Sequence, residues 1–150
     1  MLFRSLSHYL TRNNFRFGIG LVSHIEIDAI GMTLATQLAM TRSIALLSPK
    51  PDFLLIDAVD LSKIGIPCKA LIKGDVTCFS IAAASIIAKV ARDDLMVKLD
   101  SLYPGYDLAQ NKGYPTPSHL TALQSLGPSA IHRRSFSPVK TYFEKNHRQK

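Results

Sequence analysis

Apolar residues fall along this chain in two rhythms. Residues 53–56 form a continuous apolar run, Phe-Leu-Leu-Ile, bounded by Pro51 and Asp57. A run that short, without alternation, predicts a strand buried on both faces. Ala70, Leu71 and Ile72 predict a second strand, ended by a sharp Lys73-Gly74-Asp75 turn. The rhythm then changes to steps of three and four. Ile81, Ala84, Ala88, Ala91, Leu95, Leu99 and Leu102 predict the buried stripe of a long helix. Ala82, Ala83, Ala84 and Ser85 make its first turns thin, so its axis can approach a sheet closely. Upstream, Ile27, Ile30, Leu34, Leu38, Thr41 and Ala45 predict another helical face, divided by Gly31 and ending near Leu47. That helix opens on Ser23-His24-Ile25-Glu26, a capping-box pattern. Residues 15–22 predict a strand in which Gly18 and Gly20 mark close backbone packing.

Beyond Leu102 the periodicity gives way to two loops, Tyr103-Pro104-Gly105-Tyr106 and Asn111-Lys112-Gly113-Tyr114-Pro115-Thr116. Thr116 then predicts the cap of a short helix, with Pro117 in its first turn, Leu120 and Leu123 inward, and Gly127 ending it. The pattern as a whole is α/β. With 150 residues, 47% hydrophobic and 19% charged, the chain is expected to be one globular domain. Within it, about 1–100 would form a sheet-and-helix core and about 101–145 a helical and loop-rich binding region.

Charge adds a partner class. The net charge is +7, and residues 101–150 hold seven Lys or Arg against two acids. That asymmetry suits a polyanion, although charge alone suits a solvated basic tail equally well. Cys68 and Cys78 are too few for a structural zinc site and read as small apolar side chains in a reducing cytoplasm. No apolar run has the length of a membrane span. The five histidines show no metal-ligand spacing. Arg4, Arg12 and Arg16, with no acid before Glu26, also fit an organelle transit composition.

The chemistry gathers at the strand ends. Asp57 closes one predicted strand and Asp75 follows the next, and the two ends can meet only if the strands run parallel. The carboxyl edge of a parallel sheet is where α/β folds place ligands. Two carboxylates brought together there repel, and a hard divalent cation neutralises them. Asp75 taken alone reads more often as a helix cap, and Asp60 as a turn facing water. Tyrosine beside glycine and lysine in a loop can lay a ring against a sugar-phosphate strand, with His132-Arg133-Arg134 at a turn suited to phosphates. Either tyrosine could instead anchor its loop to the core.

In order and spacing, LLIDAV, LIKGD, SIAAASIIAKVARDDLM, LYPGYDLAQNKGYPTPSHL and IHRRSFSPV resemble ribonuclease HII, the type 2 ribonuclease H family, from about residue 17 to about residue 139. The resemblance implies a ribonuclease H-like mixed sheet flanked by helices. It implies an endoribonuclease that cuts the RNA strand of RNA–DNA hybrids and ribonucleotides embedded in a DNA duplex, acting as a monomer with two Mn²⁺ or Mg²⁺ ions. Asp57 would bridge the ions and Asp75 would bind one. Tyr114 would pack on the sugar where RNA passes into DNA, while Lys73, Lys112, Arg133 and Arg134 would neutralise the backbone. The family pattern also has a preceding central strand with an Asp-Glu pair, a Gly-Arg-Gly turn and a Ser-Lys-Lys segment, which this chain lacks. The sheet is therefore expected to be incomplete at its N-terminal side, with apolar faces uncovered, and residues 1–17 fall on a helix before the family's third strand. Where the family often has Gly-Asn-Arg after the aspartate, this chain has Ala58-Val59-Asp60. Two alternatives stay open: a catalytically inactive nucleic-acid-binding remnant, and an unrelated metal-dependent phosphotransferase, against which the NKGYPT block argues.

Overall fold

The computed structural model describes residues 2–13 and 15–147. Its elements are helix α1 (Leu2–Arg12), helix α2 (His24–Ala45), strand β1 (Leu54–Asp57), strand β2 (Cys68–Leu71), helix α3 (Gly74–Thr77), helix α4 (Phe79–Leu102), helix α5 (Leu108–Asn111), helix α6 (Pro117–Leu126) and helix α7 (Val139–His147). The chain is α/β. It divides into two compact units, residues 1–22 with 32–91 and residues 23–31 with 92–150.

The first unit is built on β1 and β2, which pair parallel with Leu54 opposite Cys68 and Asp57 opposite Leu71. A short 3₁₀ turn, Ser62–Ile64, lies in the crossover, and Gly65 ends it in the left-handed region at φ 77°. Leu54, Ile56 and Leu61 are buried, with Met40, Ile44, Val59, Ile64, Ile66 and Cys68 packed against them. Cys68 is thus the small apolar side chain its surroundings call for. Burial along β1 alternates, however, leaving Phe53 52% and Leu55 43% exposed. The expected coverage on both faces is absent because, among the described residues, the sheet has two strands and one packed face.

Residues 15–22 carry no regular secondary structure and join no sheet among the described residues, contrary to the strand expected there. The segment lies on α2 instead. A Cβ on Gly20 would stand 1.9 Å from the Ala39 carbonyl oxygen, and one on Gly18 2.2 Å from that of Ser43. No side chain fits at such distances, so the close approach read from the two glycines is real although its partner is a helix. Arg42 Nη1 donates to the Leu21 carbonyl at 2.6 Å and Arg16 Nη1 to that of Ser48 at 2.7 Å.

The capping box forms as read: the Ser23 amide donates to Glu26 Oε2 at 2.8 Å, and the Glu26 amide to Ser23 Oγ at 3.3 Å. Gly31 breaks α2 at φ 78°, ψ 167°. The break resets the helical phase, so a stripe counted across it does not stay on one face. Ala35 is buried and Met40 and Ile44 pack on the core, whereas Ile30 and Leu34 of the expected stripe are exposed. In α4 the expected stripe holds only in part, although Leu99 packs on the core of the second unit. Ile81 and Ile87 are buried, while Ala84 and Ala88 are exposed and Leu102 is 71% exposed. Extended backbone at Cys78 (φ −130°, ψ 120°) separates α3 from α4, so the long helix starts only at Phe79.

The second unit packs Tyr106, Leu108, Ala122, Leu123 and Val139 with Leu99, Tyr103, Ile131 and Phe143. α6 has the ends its residues predict. The Thr116 hydroxyl accepts the His119 amide, Pro117 opens the helix, and the Gly127 amide returns to the Leu123 carbonyl. Among the described residues no helix is long and apolar enough to cross a membrane.

Candidate active site and nucleic-acid surface

Parallel pairing puts the carboxyl ends of β1 and β2 on one edge of the sheet. Asp57 ends β1 and is half-buried, and its Oδ1 accepts the Gly74 amide at 2.9 Å. That bond ties the strand end to the residue immediately before Asp75. Gly74 is buried, and a Cβ there would meet Ile81 Cδ1 at 2.6 Å, so a side chain at this turn would require Ile81 to shift. Asp75 stands exposed in the first turn of α3. The residues flanking this pair are bent: Ala58 has φ 51° and Lys73 φ 54°. Lys73 is exposed beside the carboxylates.

These donors are hard oxygens suited to Mg²⁺ or Mn²⁺. Among the described residues no group of three or more His, Cys, Asp or Glu could hold a metal ion. Two carboxylates are nonetheless the usual protein share of a Mg²⁺ site completed by substrate phosphate and water, so the donor set fits one such ion. Asp60 does not join them; its Oδ1 accepts the Ser62 amide at 2.8 Å. That bond and the Ser62 hydroxyl hold its carboxyl below the ordinary range, as suits an exposed turn. Gln37 Nε2 donates to the Asp60 carbonyl at 2.9 Å. An open cleft of about 350 Å³ lies between Met32, Thr33, Thr36 and Gln37 on α2 and residues 58–60. Cys78 departs from a purely apolar role: its Sγ meets Ser80 Oγ at 3.3 Å, and hydrogen bonds from Ser80 and the Ile81 amide pull its thiol pKa down.

In the second unit the two tyrosine loops separate into an anchor and an exposed ring. Tyr106 is 7% exposed and its hydroxyl donates to the Gly127 carbonyl at 2.7 Å. Tyr114 is 57% exposed. Its loop is held from beneath by the buried Asn111, whose Oδ1 accepts the Gly113 amide at 2.8 Å and whose Nδ2 donates to the Tyr106 carbonyl at 2.7 Å. That same carbonyl lies 3.0 Å from His119 Nδ1. Asn111 Nδ2 also lies 3.2 Å from that nitrogen, so Tyr106, Asn111 and His119 form one buried polar cluster. From α4, Arg92 Nη2 donates to the Lys112 carbonyl at 3.0 Å, and its guanidinium lies 5.3 Å from the Tyr114 ring centroid. Lys112 is left-handed at φ 52°, and its ammonium donates to the Ala109 carbonyl of α5.

His119 and His132 stack at 5.4 Å between centroids, with Tyr106 4.9 Å from His132. Burial first, and then the His119 charge, push the His132 pKa down. Its Nδ1 accepts the Ser129 amide at 3.0 Å, so in the neutral ring the proton is on Nε2, buried without a partner among the described residues. The following turn carries Arg133 with its guanidinium 4.5 Å from the Phe136 ring and Arg134 with its own 4.9 Å from Phe143. Asp28, on the first turns of α2, accepts the amides of Arg134 and Ser135 and the Ser135 hydroxyl. Burial acts to raise the Asp28 pKa, but these hydrogen bonds outweigh it and hold the carboxyl below its ordinary range. Asp28, Arg92, Asn111 and His119 have no signal of their own in the pattern of the chain beyond the loop that contains Asn111.

The profile of the family described as Ribonuclease HII matches residues 1–139. The chain belongs to the ribonuclease HII family. The match reaches upstream of residue 17 and takes in α1. Among named relatives, Ribonuclease HII of Dehalococcoides mccartyi is 49% identical over 128 residues, covering 85% of this chain and 61% of that protein. The Moorella thermoacetica protein of that name is 49% identical over 133 residues, covering 89% and 65%. That of Chlamydia caviae is 53% identical over 124 residues, covering 83% and 58%. The chain therefore spans roughly three fifths of the length of these curated relatives. The crystal structure of ribonuclease H2 from Pyrococcus horikoshii superposes with a TM-score of 0.66 at 24% identity, covering 84% of this chain and 67% of that one. At that identity the likeness supports the ribonuclease H-like fold.

Proposed function

We propose that this chain carries the strand-end half of an endoribonuclease site. The substrate is the RNA strand of RNA–DNA hybrids, or ribonucleotides within duplex DNA, and the protein acts as a monomer in the cytoplasm. The observation that carries this reading is the Asp57–Gly74 hydrogen bond, which fixes one family aspartate beside the residue preceding the other on a parallel sheet edge. Mn²⁺ or Mg²⁺, two ions in the loaded enzyme, would activate a water and stabilise the leaving 3′ oxygen. Asp57 and Asp75 would hold these ions, Asp57 sharing both and Asp75 taking one. Tyr114 offers an exposed flat ring that packs on a sugar and distinguishes ribose from deoxyribose at the junction. Lys73, Lys112, Arg133 and Arg134 meet backbone phosphates.

A second reading is favoured by the lack of a three-ligand group among the described residues: a chain that binds hybrids without cutting them. The test is a cleavage and binding assay of the 150-residue chain on a labelled hybrid with Mn²⁺, alongside Asp57→Asn. Cleavage that the Asn variant loses supports the enzyme. Hybrid binding without cleavage supports the second reading. Absence of both sinks the two together.

A further inference from the structure

The turn between α6 and α7 is built around a carboxylate that takes no part in the chemistry above. Asp28 Oδ2 accepts the Arg134 amide at 2.8 Å, while Oδ1 accepts the Ser135 amide at 3.0 Å and its hydroxyl at 2.5 Å. Three donors converging on one charged acceptor fix the backbone of two successive residues. Those residues carry or adjoin the two guanidiniums, each laid over an aromatic ring, Arg133 on Phe136 and Arg134 on Phe143. A planar guanidinium held against a ring is restricted in the plane and direction of its donors, which lowers the ordering cost of a phosphate contact.

We propose that Asp28 is a positioning residue for nucleic-acid binding, clamping the Arg133–Arg134 turn so that both guanidiniums are presented to the phosphate backbone. This rests on the hybrid-binding reading. The expected sign is diagnostic. Removing an acid makes the protein more positive, and long-range attraction to a polyanion would then tighten binding. A clamp predicts the reverse.

The experiment measures the affinity of the 150-residue chain for a labelled RNA–DNA hybrid at several salt concentrations in chelating buffer, where cleavage plays no part. Asp28→Asn is expected to weaken binding roughly tenfold and to flatten the salt dependence by about one to two units, as for lost phosphate contacts. Weaker binding with an unchanged slope would overturn the proposal, since loss of folded protein alone leaves the slope intact. Equal or tighter binding would overturn it too, and tighter binding would mark the carboxylate as a competitor for phosphate. Ser135→Ala removes one of the three donors and decides the matter if Asp28→Asn does not fold. A smaller change of the same kind supports the clamp, and no change refutes it. The Arg133→Ala/Arg134→Ala double variant tests the underlying reading separately. If it binds like the parent, the turn does not meet nucleic acid. If it weakens binding while the Asp28 and Ser135 variants do not, only the positioning role falls.

Discussion

The carboxylate edge and the Tyr114 loop hold their chemistry in opposite ways. Asp57 and Asp75 sit on a four-residue strand and a four-residue helix. Around them Ile72 is 85% and Phe79 73% exposed. What fixes Asp57 is one backbone amide and a tight turn. Tyr114 is as exposed as a surface ring, yet its loop stands on buried Asn111 and His119 and on the anchored Tyr106. At the edge, the carboxylate is itself the local organiser. In the loop, organisation lies behind the ring, in buried side chains.

The sharpest test of that contrast is Asp57→Asn. Asparagine keeps an oxygen for the Gly74 amide, so the melting temperature should hold, while any Mn²⁺-dependent hybrid cleavage falls to background. Hybrid affinity should persist, since it comes mainly from phosphate contacts. Undiminished cleavage would remove Asp57 from the mechanism.

Asn111→Ala strikes the loop from behind. It strands the Gly113 amide and should cost about 1–3 kcal/mol of stability, read as a lowered denaturant midpoint, and weaken hybrid binding along with it. Stability unchanged within error would mean that the loop is not held by this residue. Tyr114→Ala should do the complementary thing. Stacking worth about 1–3 kcal/mol predicts a tenfold to hundredfold loss on a single ribonucleotide in DNA, less on long hybrids, with the midpoint unmoved. Equal losses on both substrates would make the ring merely structural.

A smaller effect should distinguish the two regions by pH. His132 has its folded pKa depressed below 6.5, so the unfolded chain takes up that proton first as pH falls. The stabilisation is present above about pH 6.5 and declines below it until the folded pKa is passed. His132→Gln should flatten the fall in melting temperature between neutral and mildly acid pH. A fall that is identical in the variant would place the acid sensitivity elsewhere.

Much of this was legible locally. Ser23 with Glu26, Thr116 with Pro117 and Gly127, and the break at Gly31 depend on residues within a few positions of one another, and each is where the chain announces it. The parallel pairing was legible too, because two carboxylate-ended apolar runs made sense in no other arrangement. The buried faces of α2 and α4 were not. Periodicity marks a stripe as apolar, but a stripe becomes buried only when something lies on it. A phase break at Gly31 lies just before exposed Leu34, and Leu102, at the end of α4, is 71% exposed. Residues 15–22 show the same limit, since a segment becomes a strand only when another strand pairs with it. Tyr106 and Tyr114 have similar flanking residues, and only the Gly127 carbonyl beneath one of them tells anchor from exposed ring.

The bent residue after Asp57 has a consequence in the language of descent. Ala58 occupies a left-handed conformation at φ 51°, where an L side chain costs about 1–2 kcal/mol relative to the ordinary helical region and glycine costs little. Relatives that carry glycine there would hold the same bend without strain. Alanine and glycine codons differ by a single base, so the position is one mutational step from relief. Ala58→Gly should raise the denaturant midpoint modestly, and a lowered midpoint would show that the alanine methyl contributes packing worth more than the bend costs. A lineage that keeps alanine at this bend would be carrying a small standing load beside the strand-end carboxylate.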